Sequence, residues 1–182
     1  MSPGGTILVR SDDLDPRARR ALIIRMKRIA HVRGLRLFVA GISADKARRL
    51  GADGVHLRHR SACQARKARR HRLATSAPVH NRAEAWAAAR GGVDHVLISP
   101  LFATRSHAGA TPMPLRCFIN LAWLSRAAPL ALGGMTVGRH RALRLRCMAS
   151  GILPGWAAID AWEGRTPAPL RQKRNCVPTY TA

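Results

Sequence analysis

Residues 50–57 read Leu50-Gly51-Ala52-Asp53-Gly54-Val55-His56-Leu57. In this stretch a helix ends at glycine, and a short apolar strand that carries a histidine follows at once. The same order returns at residues 91–100, 129–134 and 150–153. Because repeated pairs of a helix and a short strand are typical of parallel β/α folds, one architecture explains all four segments.

Short β-like runs alternate with segments of helical spacing along the whole chain. The seven runs span residues 7–10, 35–40, 54–57, 73–80, 95–100, 130–132 and 151–153. Strands separated by helix-length segments predict parallel pairing through right-handed crossovers. The sequence therefore predicts a parallel β/α barrel, with an open doubly wound sheet as the alternative because seven strands are one short of eight.

Length and composition predict one globular domain. The chain has 182 residues, of which 47% are hydrophobic, enough for a substantial core. We assign the barrel domain to residues 1–163. Residues 164–182 are basic, contain three prolines and show no periodicity, so we predict a mobile basic tail there.

The net charge of +23 raises the question of a nucleic-acid partner. Only four of the 32 basic residues are lysines, and the arginines are spread over every predicted helix rather than interleaved with aromatic residues. This distribution argues against a base-stacking platform. A basic nucleic-acid-binding protein stays as the alternative from a different functional class.

Cysteine usage and hydropathy indicate the compartment. The four cysteines form no CxxC pair, so neither a disulfide framework nor a zinc site is indicated. No run reaches the roughly 18 apolar residues that would cross a bilayer. We expect a cytoplasmic protein with no membrane association.

Five motifs follow one another in an order that points to a family. They are Leu8-Val9-Arg10, residues 51–57, Val79-His80, Ser99-Pro100-Leu101-Phe102-Ala103-Thr104 and Ala131-Leu132-Gly133-Gly134. In this order the chain resembles the thiamine phosphate synthase and thiazole tautomerase family, whose members are (β/α)₈ barrels. The resemblance implies a TIM-type barrel that begins at the family's second strand and lacks the first β/α unit.

The chain departs from the family where synthases hold the pyrimidine diphosphate and its magnesium. Four groups do this work in synthases: a lysine and a glutamine near the second strand, an asparagine-aspartate pair after the third, and a later aspartate. The matching positions here are Asp12, Leu8, Ala40-Gly41 and Ser61. Hard oxygen ligands that Mg²⁺ prefers are therefore missing, and we expect Mg²⁺ as a cofactor only with surviving synthase activity.

The phosphate end of the family site is retained. The resemblance places Gly133, Gly134 and Gly155 in loops after the last strands, where glycines let a phosphate approach backbone N–H groups. In the alternative interpretation, these glycines only allow tight turns in the loops and bind no phosphate. Arg10, Thr104 and Ser106 are further candidates for hydrogen bonds to phosphate oxygens.

His80 is the candidate catalytic residue. It follows a predicted strand and precedes a helix, so in a barrel it would face the catalytic end. In the tautomerase branch, a histidine at the matching position moves a proton on the thiazole phosphate. A histidine that only hydrogen-bonds loop backbone is the alternative.

Two further clusters are interpreted without a metal. Asp12, Asp13 and Asp15 precede a predicted helix, and helix capping explains them better than metal binding. His56 and His59 have no third ligand at zinc spacing. We therefore predict no metal site from these residues.

The resemblance implies a protein of thiamine biosynthesis that binds a thiazole phosphate. Because the magnesium clamp is degraded, proton transfer by His80 fits the residues better than a synthase-type transferase reaction. A family member that binds its ligand without catalysis is the alternative. The sequence leaves open whether the protein forms a homo-oligomer.

Overall fold

The computed structural model describes residues 4–58, 62–103, 111–158 and 175–180. Strands and helices alternate from the first described residues onward. In chain order they are β1 (Thr6–Arg10), α1 (Pro16–Val32), β2 (Arg36–Ala40), α2 (Ala44–Arg49), β3 (Gly54–His56), α3 (Ala62–Arg70), β4 (Ala74–Val79), α4 (Arg82–Gly91), β5 (His95–Ile98), α5 (Leu115–Ser125), β6 (Ala128–Ala131), α6 (Val137–Cys147), β7 (Gly155–Ala157) and β8 (Asn175–Tyr180).

The strands form a closed barrel in sequence order. β1 to β7 pair with parallel neighbours, which confirms the predicted parallel β/α barrel. β8 lies between β7 and β1 and runs antiparallel to both. This strand falls inside the segment 164–182, for which the sequence predicted no regular structure; the mobility of that segment stays a prediction.

The seventh strand differs from its predicted position. The sequence placed it at residues 151–153, but the strand is Gly155–Ala157. Gly151 has a φ of +68° and ends a short 3₁₀ helix, so the chain is still turning at that point. Ile152 is buried in the connection that follows, which explains why this segment looked like an apolar strand.

Two aspartates hold neighbouring strands together at their N-terminal ends. Asp53, directly before β3, accepts hydrogen bonds from the backbone N–H of Leu37 in β2 (2.8 Å) and from Lys27 Nζ (3.0 Å). Asp94, directly before β5, accepts from the N–H of Thr75 in β4 (2.7 Å) and from its hydroxyl (2.6 Å). Both aspartates belong to the repeated glycine-rich stretches of the sequence. The repeat therefore produces the same hydrogen bond, from a backbone N–H of the preceding strand to an aspartate, at two places in the barrel.

Apolar side chains fill both faces of the sheet. The larger core lies between strands and helices and includes fully buried Val39, Val96 and Phe118. A smaller cluster fills the barrel interior: Leu8, Phe38, Ala40, Leu97, Leu130 and Ala157. Gly54 is required there, because a Cβ at this position would lie 2.5 Å from the Phe38 ring.

Polar side chains are also enclosed in the barrel. His56 Nδ1 lies 2.9 Å from Ser76 Oγ, and the His95 ring is 6.3 Å from the Phe38 ring. Burial lowers the pKa of His95, and Arg36 adds to this effect while Asp94 opposes it. His95 is therefore held mainly as the neutral imidazole.

No helix among the described residues is long and apolar enough to cross a membrane.

We expect Asp94→Ala to lower the free energy of unfolding by about 1–3 kcal/mol, because the buried Thr75 N–H and hydroxyl both lose their acceptor. Asp45→Ala serves as the control, since Asp45 makes only an exposed pair with Arg49 worth about 0.3–0.5 kcal/mol. Urea denaturation measures both variants. Equal losses in the two would show that the Asp94 contacts do not stabilise the barrel.

We expect the free energy of unfolding to decrease as the pH is lowered, and we expect His95 to cause part of this decrease. Its pKa is lower in the folded than in the unfolded chain, so the unfolded chain takes up the proton first. The stabilisation is complete above about pH 6.5, the ordinary histidine value, and is lost as the pH falls from there through the folded pKa. His95→Leu should flatten this part of the profile, whereas His31→Asn on the exposed face of α1 should not. Unfolding measured between pH 8 and 5 tests this, and an unchanged slope in His95→Leu would contradict it.

Candidate functional site

The C-terminal ends of β1 to β7 meet at one end of the barrel, which we call the mouth. Loops after these strands bring together residues that are far apart in sequence. The candidates described there are Arg10 at the end of β1, Gly41 after β2, Arg58 after β3, His80 after β4 and Gly133 after β6. In parallel β/α barrels this end carries the catalytic residues.

The pair Gly133-Gly134 forms a tight loop after β6. Their φ angles are +96° and +59°, in the region that favours glycine. A Cβ at Gly133 would lie 2.9 Å from Pro100 Cα, and one at Gly134 would overlap the carbonyl oxygen of Ala103. Both glycines are therefore needed for the loop after β6 to pack against the loop after β5.

Hydrogen bonds join these two loops. Leu101 N–H donates to the Leu132 carbonyl (2.9 Å), and Phe102 N–H donates to the Gly133 carbonyl (3.1 Å). The Arg139 guanidinium donates to the Gly134 carbonyl and lies 4.6 Å from the centroid of the Phe102 ring. The glycine pair is thus held in one position rather than left as a loose turn.

Helix α6 begins just after the glycine pair. Thr136 is its N-cap, and the Thr136 hydroxyl accepts a hydrogen bond from Arg139 N–H (3.2 Å). No acidic residue lies in the first turn of this helix. The positive end of the helix dipole therefore faces the glycine loop without a carboxylate on the helix to neutralise it.

His80 lies between β4 and α4, as predicted, and contacts Glu84. His80 Nδ1 is 2.9 Å from Glu84 Oε2, and the His80 N–H donates to the same oxygen at 2.6 Å. The other carboxylate oxygen accepts from Asn81 Nδ2 (3.0 Å), and Asn81 caps the helix by accepting from Glu84 N–H (3.0 Å). His80 is about half exposed, so its ring is accessible at the mouth.

Asp12 pairs with two arginines on the opposite side of the mouth. Its Oδ2 lies 2.7 Å from Arg58 Nη2, and its Oδ1 lies 3.3 Å from Arg19 Nη2. Arg19 also donates to the Ala40 carbonyl at 2.5 Å. Gly41, with a φ of +68°, contacts this cluster closely, and a Cβ there would overlap Asp12 and Arg19.

Asp15 has the capping role that the sequence predicted. Its side chain accepts from Arg17 N–H (2.8 Å) and Ala18 N–H (3.0 Å) at the start of α1. Within the parts of the chain that the structure describes, no group of three or more His, Cys, Asp or Glu residues could hold a metal ion.

The remaining predicted site residues lie in separate parts of the chain, and Arg10 lies at a strand end as predicted. Arg10 is the exposed last residue of β1, on the strand face shared with Leu8 in the barrel interior. Gly155 is the first residue of β7 and pairs with Leu130, so it does not lie in the loop after that strand. The resemblance misplaced it because residues 151–153 were taken for the strand. Thr104 and Ser106 lie outside the described residues.

Sequence reasoning missed Glu84 and the pairing of Asp12 with Arg19. The spacing of Asn81 and Glu84 is that of a capping box and could have predicted the bond from the Glu84 N–H to Asn81 Oδ1. The contact of Glu84 with the His80 ring could also have been suspected from their i,i+4 spacing. Arg19 and Asp12 meet the β2 end only in the folded barrel, so no local signal reveals them.

Comparison with known proteins gives one consistent result. The family model described as thiamine monophosphate synthase matches residues 3–154. A thiamine-phosphate synthase of Chromobacterium violaceum is 32% identical over 157 residues, which cover 83% of this chain and 73% of that protein. One from Anaeromyxobacter dehalogenans is 37% identical over 112 residues, covering 59% of this chain and 50% of that protein.

Solved structures show the same fold. Thiamine phosphate pyrophosphorylase from Pyrococcus furiosus superposes with a TM-score of 0.66 at 18% identity, covering 87% of this chain and 75% of that one. The 2-keto-3-deoxy-6-phosphogluconate aldolase of Zymomonas mobilis gives 0.56 at 19% identity, covering 90% and 70%. At such identities the likeness concerns the fold alone. The sequence matches go further, and the chain belongs to the thiamine monophosphate synthase family of thiamine biosynthesis.

Proposed function

We propose that this protein binds a thiazole phosphate at the barrel mouth and moves a proton on the thiazole ring with His80. The observation that carries the proposal is the Gly133-Gly134 loop, which has positive φ angles, no room for side chains and a fixed position beside the start of α6. A glycine loop followed by a helix N-terminus is a common phosphate-binding arrangement.

The phosphate would lie against the backbone between Gly133 and the first turn of α6. Arg139 strengthens this side of the mouth, since its guanidinium fixes the Gly134 carbonyl and the Phe102 ring. Arg10 adds an exposed positive charge at the end of β1. Charge-assisted hydrogen bonds from such groups favour a phosphate ester over the corresponding alcohol.

The Asp12 cluster supports the proposal that the magnesium clamp of the synthases has been lost. Asp12 is an acid at this side of the mouth, but a guanidinium contacts each of its two carboxylate oxygens. At Gly41, where the resemblance expects an aspartate, Asp12 and Arg19 already fill the space that a side chain would need. These residues do not fit a Mg²⁺ ion, and we route no step of the reaction through one.

The proposed reaction therefore needs only acid–base chemistry. The His80 Nε2 lone pair would remove a proton from one position of the thiazole ring, and the resulting imidazolium would return it at another position. The ring keeps its atoms and its charge, and the imidazole is regenerated. A histidine that is half exposed at the mouth and anchored on one side by Glu84 suits this role.

We expect a thiazole phosphate to raise the melting temperature of the protein, whereas the dephosphorylated alcohol should not. At 100 times the dissociation constant, binding should stabilise the fold by about 2.7 kcal/mol. Gly133→Ala should remove this stabilisation, because the added Cβ displaces the loop from Pro100.

The control for this experiment is Gly151→Ala. Gly151 also has a positive φ, +68°, but a Cβ there would meet nothing within 4 Å. An alanine at position 151 would therefore be under similar backbone strain, but its Cβ would contact no residue of the mouth. Equal shifts with the phosphate and the alcohol, or equal loss of binding in both variants, would refute the phosphate site.

We expect His80→Asn to slow the interconversion of thiazole phosphate tautomers by about 10²–10⁴-fold, because asparagine cannot accept and return a proton near neutral pH. Binding of the thiazole phosphate should persist, and a chelator should leave the parent rate unchanged. NMR of the ligand measures the rate. His31→Asn in α1 is the matched control. A His80→Asn variant as active as the parent, or a rate that requires Mg²⁺, would contradict this mechanism.

A further inference from the structure

We infer that Glu84 is a positioning residue that fixes the tautomer of His80. It contacts the histidine through a carboxylate oxygen 2.9 Å from Nδ1, one helical turn along α4. The inference rests on the proposed function in that it names His80 as the group that transfers the proton. The Glu84 contact itself stands on the geometry alone.

The carboxylate is held rigidly, and this makes it a suitable guide for the ring. In an ordinary capping box, the carboxylate at this position binds the backbone N–H of the N-cap residue. Here Glu84 Oε2 binds the N–H of His80, the residue before the N-cap, at 2.6 Å. Glu84 Oε1 is held by Asn81 Nδ2, and only one fifth of the Glu84 side chain is exposed. Both carboxylate oxygens of Glu84 are thus held by hydrogen bonds other than the contact with the His80 ring.

The chemistry of the two groups determines the tautomer. An ionised carboxylate only accepts hydrogen bonds, so the neutral imidazole must carry its proton on Nδ1 to satisfy this contact. The Nε2 atom is then left with its lone pair as the proton acceptor. When the ring becomes imidazolium, the nearby carboxylate stabilises the positive charge. A carboxylate that orients a histidine through Nδ1 in this way is an established means of preparing a general base.

The arrangement also leaves the ring accessible. Strand β4 places Ser76 toward the barrel interior, where it bonds with His56, and His80 follows at an even spacing from it. Its side chain is 45% exposed, more than twice the 20% of Glu84. The protected carboxylate and the more open ring are the arrangement expected of a fixed guide and a working base.

The test combines a tautomer measurement with a rate. In the parent, ¹⁵N NMR of the neutral His80 ring should show the proton mainly on Nδ1. Glu84→Ala should shift the population toward the Nε2–H form and lower the rate of thiazole tautomerisation by about 10-fold to 100-fold, by analogy with metal-ligating histidines that lose the carboxylate which orients them. Affinity for the thiazole phosphate should change less than twofold.

The control is Ala87→Gly, which weakens the same helix by about 1 kcal/mol at a position seven residues from His80. It should leave the tautomer and the rate unchanged. Glu84→Gln provides a second variant that keeps the shape of the side chain without its charge, and we expect an intermediate loss of rate.

Two results would overturn the inference: a His80 ring that keeps its Nδ1 proton in Glu84→Ala, or an equal loss of rate in Ala87→Gly. The tautomer measurement needs no substrate. If the parent does not interconvert thiazole tautomers, the proposed function fails, and the ¹⁵N result alone still decides whether Glu84 sets the tautomer.

Discussion

The hydrogen bond from the Thr75 N–H to the Asp94 carboxylate, together with its counterpart between Leu37 and Asp53, is the constraint on which the barrel depends. Each aspartate precedes one strand and binds the second residue of the preceding strand, so it fixes the relative height of two parallel neighbours. An ionised acceptor makes these bonds stronger than neutral ones. Because the strands are aligned at their starts, their C-terminal ends reach the mouth together, and the loops that carry the candidate site residues meet there.

Local signals in the sequence were sufficient to place six of the seven parallel strands, but they misplaced the seventh and missed β8. Glycines and short apolar runs mark each helix-to-strand junction, and buried Ile152 shifted only the seventh strand from its true position. β8 contains Pro178, which lacks an N–H and argues against a strand. Its pairing with β1 joins residues more than 160 positions apart, so only the closed barrel reveals it.

In the candidate site, too, some features could be predicted from the sequence and others could not. The positions of His80 and Gly133 follow from the order of strands and loops, because a residue that ends a parallel strand must reach the mouth. Which side chains contact each other there depends on rotamers and on the paths of separate loops. The Arg19 contact with the Ala40 carbonyl spans 21 residues, and the pairing of Arg58 with Asp12 joins the loops after β1 and β3. Such contacts have no local pattern in the sequence.

The mouth consequently has two halves with different chemistry. On the side of β4 to β6, the half-exposed His80 contacts Glu84, and the glycine loop leads into a helix with no acidic residue in its first turn. On the side of β1 to β3, two guanidinium groups contact Asp12 close to Gly41. Since each half is built from its own strands, the proposed loss of the groups that hold a diphosphate and its metal would leave in place the groups that we propose to hold a phosphate and move a proton. The absence of acidic side chains at Ala40 and Gly41 is compatible with a folded barrel, because Asp12 and Arg19 fill the space beside Gly41 with paired charges.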